Sequence, residues 1–355
     1  MPKHVSHPVP RPPSAGVARE LLLKVRELGG DAAATAHRAG IGAAAEEMLK
    51  PAWNGTVSPA QFTRLYRECV AMFEAHDSRR QGWPPMTKRE VDMLCYCIIT
   101  CATLDEAIAR ATDFCTMLGA RAAELSVQIN GEQAAFRMRT FRRKRDAAAF
   151  LSDLTGLSSY HRLFSWLIGE DIELLSVEVS YPELIEEEVT GLLMPHPISY
   201  GRADNLLLFP AHYLHRPVVR SYGELIDFLK DFPFDLETTH SKQMPLSEKV
   251  RIAIGGALAR RAPLPTLETL ARQFGISGAT LKRRLAQEGT SMQLLKERCR
   301  HDLARKLLAD PALAFGEIAH RLSFSDATTF SRAFKGWSGQ SPSAYRDAMA
   351  PAEAG

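Results

Sequence analysis

Two short stretches near the C-terminal end carry side chains able to grip an anion or a base edge. In SGATLKRRLAQEG, residues 277–289, Thr280, Lys282, Arg283 and Arg284 surround the apolar i, i+4 pair Leu281 and Leu285. In SDATTFSRAFKG, residues 325–336, Thr328, Thr329, Arg332 and Lys335 surround Phe330 and Phe334 in the same way. A guanidinium offers a rigid fork of donors, an ammonium a point charge, and a hydroxyl can donate or accept. These groups bind phosphate oxygens and the acceptors that guanine shows in a major groove.

Such groups need helices to hold them, and the flanking pattern supplies these. Leu267, Leu270, Ala271 and Phe274 form one apolar stripe at helical spacing. Gly275 stops that helix, and Ser277 is a good N-cap for the next. The pattern predicts a helix-turn-helix over 266–287 with a basic, polar second helix. It returns over 315–337, where Ile318, Ala319 and Leu322 make the first helix and Ser325 and Asp326 are both available as N-caps. Ala271 and Ala319 are 48 residues apart, whereas Leu281 and Phe330 are 49 apart, so the second turn is one residue longer. Between the copies, Ser291 to Ala309 is rich in Leu, Lys, Arg and Ala. As one helix it spans roughly 28 Å at 1.5 Å per residue. One turn of B-DNA is roughly 34 Å, so such a strut suits two reading helices in successive major grooves.

Charge agrees with this division. Residues 246–348 carry 17 Lys and Arg against 9 Asp and Glu, a net +8. The whole chain is only +3, so the remainder is −5. A basic segment joined to an acidic one fits a DNA reader attached to something that does not bind DNA.

This C-terminal region resembles the DNA-binding domain of the AraC/XylS family of bacterial transcription regulators. The matching residues are Leu270-Ala271, Ser277, Leu281 and Arg283, then Ile318-Ala319, Phe324-Ser325-Asp326, Phe330, Arg332 to Lys335, and Ser341-Pro342 through Tyr345-Arg346. The family usually has glycine before the phenylalanine of the second turn, and here Ser323 stands there. The resemblance implies that Ala279, Lys282 and Arg283 lie on the base-reading face of the first reading helix, and Ala327, Thr328 and Arg332 on that of the second. With the polar neighbours, the candidate DNA contacts are Ser277, Ala279, Thr280, Lys282, Arg283, Ser325, Ala327, Thr328, Thr329, Arg332 and Lys335. Alanine offers only contact with a thymine methyl.

The rest of the chain predicts an α+β unit over 17–232, followed by an all-α domain of two helix-turn-helix motifs joined by a long helix. Residues 1–16 hold five prolines and no apolar period, and read as a disordered tail with no signal peptide. Ser58-Pro59 and Thr87 with Glu90 mark helix starts. Ala123–Asn130 and Gln133–Thr140 read as a hairpin, and Asp146–Ile168 as a helix. Glu173–Tyr181, Pro197–Tyr200 and Asn205–Phe209 read as strands, Glu183–Val189 as a short acidic helix, 233–245 as a linker and 349–355 as a tail. Residues 197–229 resemble the end of the arabinose-binding-like sensor domain of one branch of the same family. That resemblance implies a small-molecule effector, for which Tyr200, Arg202, His212 and Tyr213 are the candidate contacts. The expected partners are duplex operator DNA, RNA polymerase and an unidentified effector, with a homodimer left open. No membrane, metal or cofactor is expected, and the expected compartment is the cytoplasm.

Other chemistry is weakly supported. Cys95, Cys97 and Cys101 could hold an ion, but buried packing is the commoner fate of cysteine. His212 and His215 form HxxH in a strand-to-loop segment, where that spacing does not put both rings on one face. The alternative is an enzyme of DNA-repair alkyl-transfer type on the same DNA-binding domain. It requires a nucleophilic Pro-Cys-His-Arg run, and the chain has no Pro-Cys, no GxSxG and no P-loop.

Overall fold

A computed structural model describes residues 15–349 except 43–44, 51, 54, 143–144 and 235–243. Of the tails predicted at 1–16 and 349–355, residues 1–14 and 350–355 lie outside the described residues, as does most of the predicted linker, whereas Ala15 and Gly16 open a helix and Met349 ends one. The first helix, α1, spans Ala15–Glu27. It is followed by α2 (Ala32–Arg38), α3 (Ala45–Met48), α4 (Pro59–Gln81), α5 (Lys88–Ile98) and α6 (Leu104–Leu118). The Ser58 and Thr87 capping boxes form as their sequences suggest, with Gln61 and Glu90 at the third helical positions.

The sheet begins with β1 (Glu124–Asn130) and β2 (Gln133–Arg139), an antiparallel hairpin turned by Asn130-Gly131 with Gly131 at φ +61°. The long helix α7 (Ala147–Ile168) follows, then β3 (Ser176–Glu178), α8 (Glu187–Leu193), β4 (Ile198–Ser199), β5 (Leu206–Pro210) and α9 (Tyr222–Phe228). The strand order is β1-β2-β5-β3-β4, antiparallel except for β3 against β4. The strands after α7 are shorter than the alternation predicted. Only three residues of 173–181 pair as a strand, and beyond them the Ser180 amide bonds the Asn205 side chain instead of a neighbouring strand. The acidic helix starts at Glu187, four residues late, with Glu187 and Glu188 in its first turn beside the positive end of its dipole.

α7 is buried round almost its whole circumference, as expected of a helix apolar on every side. It packs against α4, the sheet and α8, and carries Phe150, Leu154 and Phe164 into one core that runs from Val17 to Phe232. Each such side chain contributes about 1.5–3 kcal/mol when fully buried.

The C-terminal part is helical throughout: α10 (Leu246–Ala259), α11 (Leu267–Gln273), α12 (Gly278–Gln287), α13 (Met292–Leu308), α14 (Phe315–Arg321), α15 (Ala327–Ser338) and α16 (Pro342–Met349). It has two cores. The first gathers Val250, Ile254, Leu270, Leu281 and Leu285, and the second Ile318, Leu322, Phe330 and Phe334. α13 serves both, giving Leu295 and Cys299 to the first and Ala304 and Leu308 to the second. The chain is thus an α+β domain followed by an all-α helix-turn-helix region.

Candidate nucleic-acid interface and regulatory cavity

α11 and α12 form the first helix-turn-helix. Gly275 makes the turn at φ +63°, a left-handed conformation that glycine adopts without strain. The Ser277 hydroxyl accepts from the Thr280 amide at 3.1 Å, so Ser277 caps α12 as the sequence indicated. Leu281 and Leu285 are fully buried, which turns Ala279, Lys282, Arg283 and Arg284 to solvent, with Thr280 half-buried.

α14 and α15 form the second. Of the two cap candidates, Asp326 is the one used. Its carboxylate accepts from the Thr329 amide at 2.7 Å and from the Ser325 and Thr329 hydroxyls at 2.9 Å each. These bonds, the Thr329 amide foremost, hold its pKa down at about 2. Thr328, Arg332 and Lys335 are exposed, Ala327 and Thr329 half-buried, and Phe330 and Phe334 fully buried. Ser323 turns the chain at φ +57° where the first motif has glycine. A non-glycine residue there is strained by about 1–2 kcal/mol.

Among the described residues, none forms an ion pair with Lys282, Arg283, Arg332 or Lys335, whereas Arg251, Arg321 and Arg216 are all paired. Four uncompensated cations on two capped helices make an electropositive face suited to phosphate and base-edge contacts.

Each motif is gripped at the end of its first helix by an arginine. Arg300 of α13 donates from Nε to Leu322 O at 2.9 Å and from Nη2 to Ser323 O at 3.0 Å, and stacks 4.5 Å from the Phe324 ring centre. The first motif is gripped from outside. Arg216, in the segment between β5 and α9, donates from Nη1 to Gln273 O at 2.6 Å. Its Nε lies 2.5 Å from Glu170 Oε1, an ion pair by distance though not aligned as a hydrogen bond, and the group lies over the Tyr213 ring. A Cβ on Gly275 would sit 3.1 Å from Nη1. Arg260, the C-cap of α10, makes a longer bond, 3.4 Å, to Thr100 O of the N-terminal domain.

In the N-terminal domain, a cavity of about 180 Å³ opens between the loop after α4 and the first half of α7, and one of about 110 Å³ lies beside it. Asp153, 2% exposed, stands between them. Its carboxylate accepts from Arg142 Nε at 2.7 Å, Tyr181 OH at 2.6 Å, Thr140 Oγ1 at 2.8 Å and Asn205 Nδ2 at 3.1 Å. Ser152 lines the larger cavity, and its buried Oγ has no hydrogen-bond partner among the described residues. Gly156, mid-helix, leaves the gap that Met138 occupies, since a Cβ there would stand 3.0 Å from its sulfur.

The four residues proposed from sequence for the effector line neither of these cavities. Tyr200 is half-buried against Phe150, Arg202 is exposed, and His212 is exposed with its ring tilted against that of Tyr213. Tyr213 is buried and accepts a bond from the Glu173 amide. Cys95 and Cys101 are core residues whose thiols burial pushes up to about 12 and about 11. His215 is exposed. Among the described residues no helix is long and apolar enough to cross a membrane.

Comparison with known proteins places these elements. The model of the N-terminal arabinose-binding domain of AraC transcription regulators matches residues 29–218, more than half the chain, and a helix-turn-helix domain model matches 270–348. The ornithine utilization regulator of Pseudomonas aeruginosa is 29% identical over 257 residues, 72% of this chain and 74% of its own. An uncharacterized HTH-type transcriptional regulator of Mycobacterium tuberculosis is 25% identical over 70% of this chain and 72% of its own. VirS, an HTH-type transcriptional regulator of the same organism, is 40% identical over 105 residues, 28% of this chain and 29% of its own. The chain belongs to the AraC family of DNA-binding transcription regulators.

Proposed function

We propose that residues 246–348 dock α12 and α15 in successive major grooves of one operator, and that a small molecule bound by residues 17–232 changes this docking. The observation that carries the first part is the set of unpaired cations, Lys282 and Arg283 on one helix and Arg332 and Lys335 on the other. Arg283 and Arg332 are placed to read bases, Lys282 and Lys335 to meet phosphates. Ser277, Thr280, Ser325, Thr328 and Thr329 lie near the helix N-termini, where backbone amides and hydroxyls favour phosphate, and Ala279 and Ala327 supply apolar contact. α13, 17 residues long and about 25 Å along its axis, joins the two motifs.

The effector reading rests on the cavities at Asp153. A saturated carboxylate, an unpartnered Ser152 hydroxyl and an apolar wall including Met86 and Met138 form a concave site with a few convergent polar groups. This cavity supports the effector site better than Tyr200, Arg202, His212 and Tyr213 do. The domain acts by binding and not by turnover, in the cytoplasm, on promoters read by RNA polymerase. Coupling is reciprocal, so operator DNA changes effector affinity by the factor with which effector changes operator affinity.

Thermal melting of the full chain against panels of amino acids, sugars and fatty acids tests the effector reading, because a ligand of the folded state raises the melting temperature. A ligand that shifts melting in the wild type and equally in Ser152→Ala binds elsewhere and removes this cavity from the account.

A further inference from the structure

The two helix-turn-helix motifs are repeats, but they are not held alike. In the second, the free carbonyls at the end of α14 are satisfied from within the DNA-binding region by Arg300. The ends of the helices that precede the two motifs, Ala259 and Leu308, are 49 residues apart, which sets Arg251 opposite Arg300, and the Arg251 fork is taken up by Glu248 at 2.8 and 2.5 Å. At the end of α11 the Gln273 carbonyl, which stands one residue before the equivalents of Leu322 and Ser323, takes its bond from Arg216 of the N-terminal domain. Arg216 is 7% exposed, and its backbone is fixed in turn: Leu104 N donates to Arg216 O at 3.0 Å, and Pro217 bridges to Thr103. Its ionic partner Glu170 directly follows Gly169, the C-cap of α7, and α7 is the helix that carries Ser152 and Asp153 at the cavities. Lys249 of α10, 8% exposed, lies against Gly169 on the same seam.

We propose that the N-terminal domain controls DNA occupancy through the first helix-turn-helix alone, with Arg216 as the coupling residue. The second motif, closed by Arg300, reads DNA independently of the state of the N-terminal domain. Arg216 is a positioning residue: it sets the turn at Gly275 that aims α12, and a shift of α7 reaches it through Glu170. The same asymmetry gives the two half-sites different duties, one regulated and one constitutive anchor. This inference rests on the regulatory reading of the N-terminal domain.

The test uses the full chain on a duplex it selects from a random-sequence pool. Half-sites are assigned first by Arg283→Ala and Arg332→Ala. Quantitative footprints are then taken for Arg216→Ala, Arg216→Lys and Arg300→Ala. Losing one charge-assisted hydrogen bond predicts a change of about tenfold or more in occupancy constant at the Arg283 half-site for Arg216→Ala. The Arg332 half-site should stay within about twofold, within the spread expected of an independent site. Arg216→Lys keeps the charge for Glu170 but loses the fork, and should fall between. Arg300→Ala should show the opposite pattern. Circular dichroism checks that each variant is folded, and Arg216→Lys carries the test if Arg216→Ala is not. Equal changes at both half-sites, or none at the first, would overturn the proposal. If the changes stay confined to the first half-site but no effector alters either, the coupling stands and the regulatory reading of the domain falls.

Discussion

Ser152 and Asp153 are adjacent on α7, yet opposite outcomes are expected when each loses its polar function. Asp153→Asn keeps the shape and removes the charge. The carboxylate faces Arg142 with one oxygen and Thr140, Tyr181 and Asn205 with the other. An amide has only one acceptor oxygen, so its NH2 must point at donors on one side or the other. Breaking a buried ion pair by removing one partner costs about 3–5 kcal/mol. Asp153 keeps 3% of its side chain exposed and Arg142 18%, so some water reaches the arginine and the lower end, about 3 kcal/mol, applies. For a domain of this size, about 2–4 °C per kcal/mol, the melting temperature should fall by about 6–12 °C. Ser152→Ala removes a buried hydroxyl with no partner, so it should leave stability unchanged or raise it by up to about 1 kcal/mol. Melting of the full chain followed by circular dichroism measures both. A fall of under about 3 °C for Asp153→Asn, which is roughly 1 kcal/mol, would refute the reasoning. So would a loss in Ser152→Ala equal to that in Asp153→Asn, because the carboxylate would then hold no special place.

Two further outcomes concern the second reading motif. Ser323→Gly releases the left-handed strain at φ +57° and should stabilise the C-terminal part by about 1 kcal/mol; because glycine keeps the carbonyl that Arg300 bonds, unchanged melting would contradict the strain. Asp326→Asn keeps a good N-cap but does not titrate. The Asp326 carboxyl is depressed from 3.8 to about 2, so its stabilising share is present above pH 3.8 and is lost as pH falls through about 2. Urea unfolding of both proteins over that window should show the wild type losing stability relative to Asp326→Asn, and parallel curves would contradict it.

Legibility in the sequence followed the range of the interactions. The reading motifs were visible because they are made locally: Leu281 with Leu285, Phe330 with Phe334, and caps at Ser277 and Asp326 act within one or two turns. Even the serine at the second turn could be named as a departure, and it does take a positive φ. The hairpin was visible for the same reason, through alternation and Asn130-Gly131. The sheet beyond α7 was overestimated because its strands are ended by long-range bonds, such as that of Asn205 to Ser180, which no local pattern reports. The cavities had a faint signal, a carboxylate and a glycine inside the apolar helix AAAFLSDLTGLSSYHRLF, but their other walls come from distant segments. Arg216 had none: it reads as an ordinary charge beside Pro217, and its partner carbonyl is 57 residues away in another domain.

The most direct test of the two-groove account is operator binding by the full chain over a salt series, with the Arg283→Ala and Arg332→Ala proteins alongside. The two phosphate contacts assigned to Lys282 and Lys335 predict a log–log salt slope of about −1.8 or steeper. Each arginine variant should lose about 1–3 kcal/mol, with protection weakened at sites about ten base pairs apart. A flat salt dependence, or two variants that weaken the same base pairs, would contradict the account.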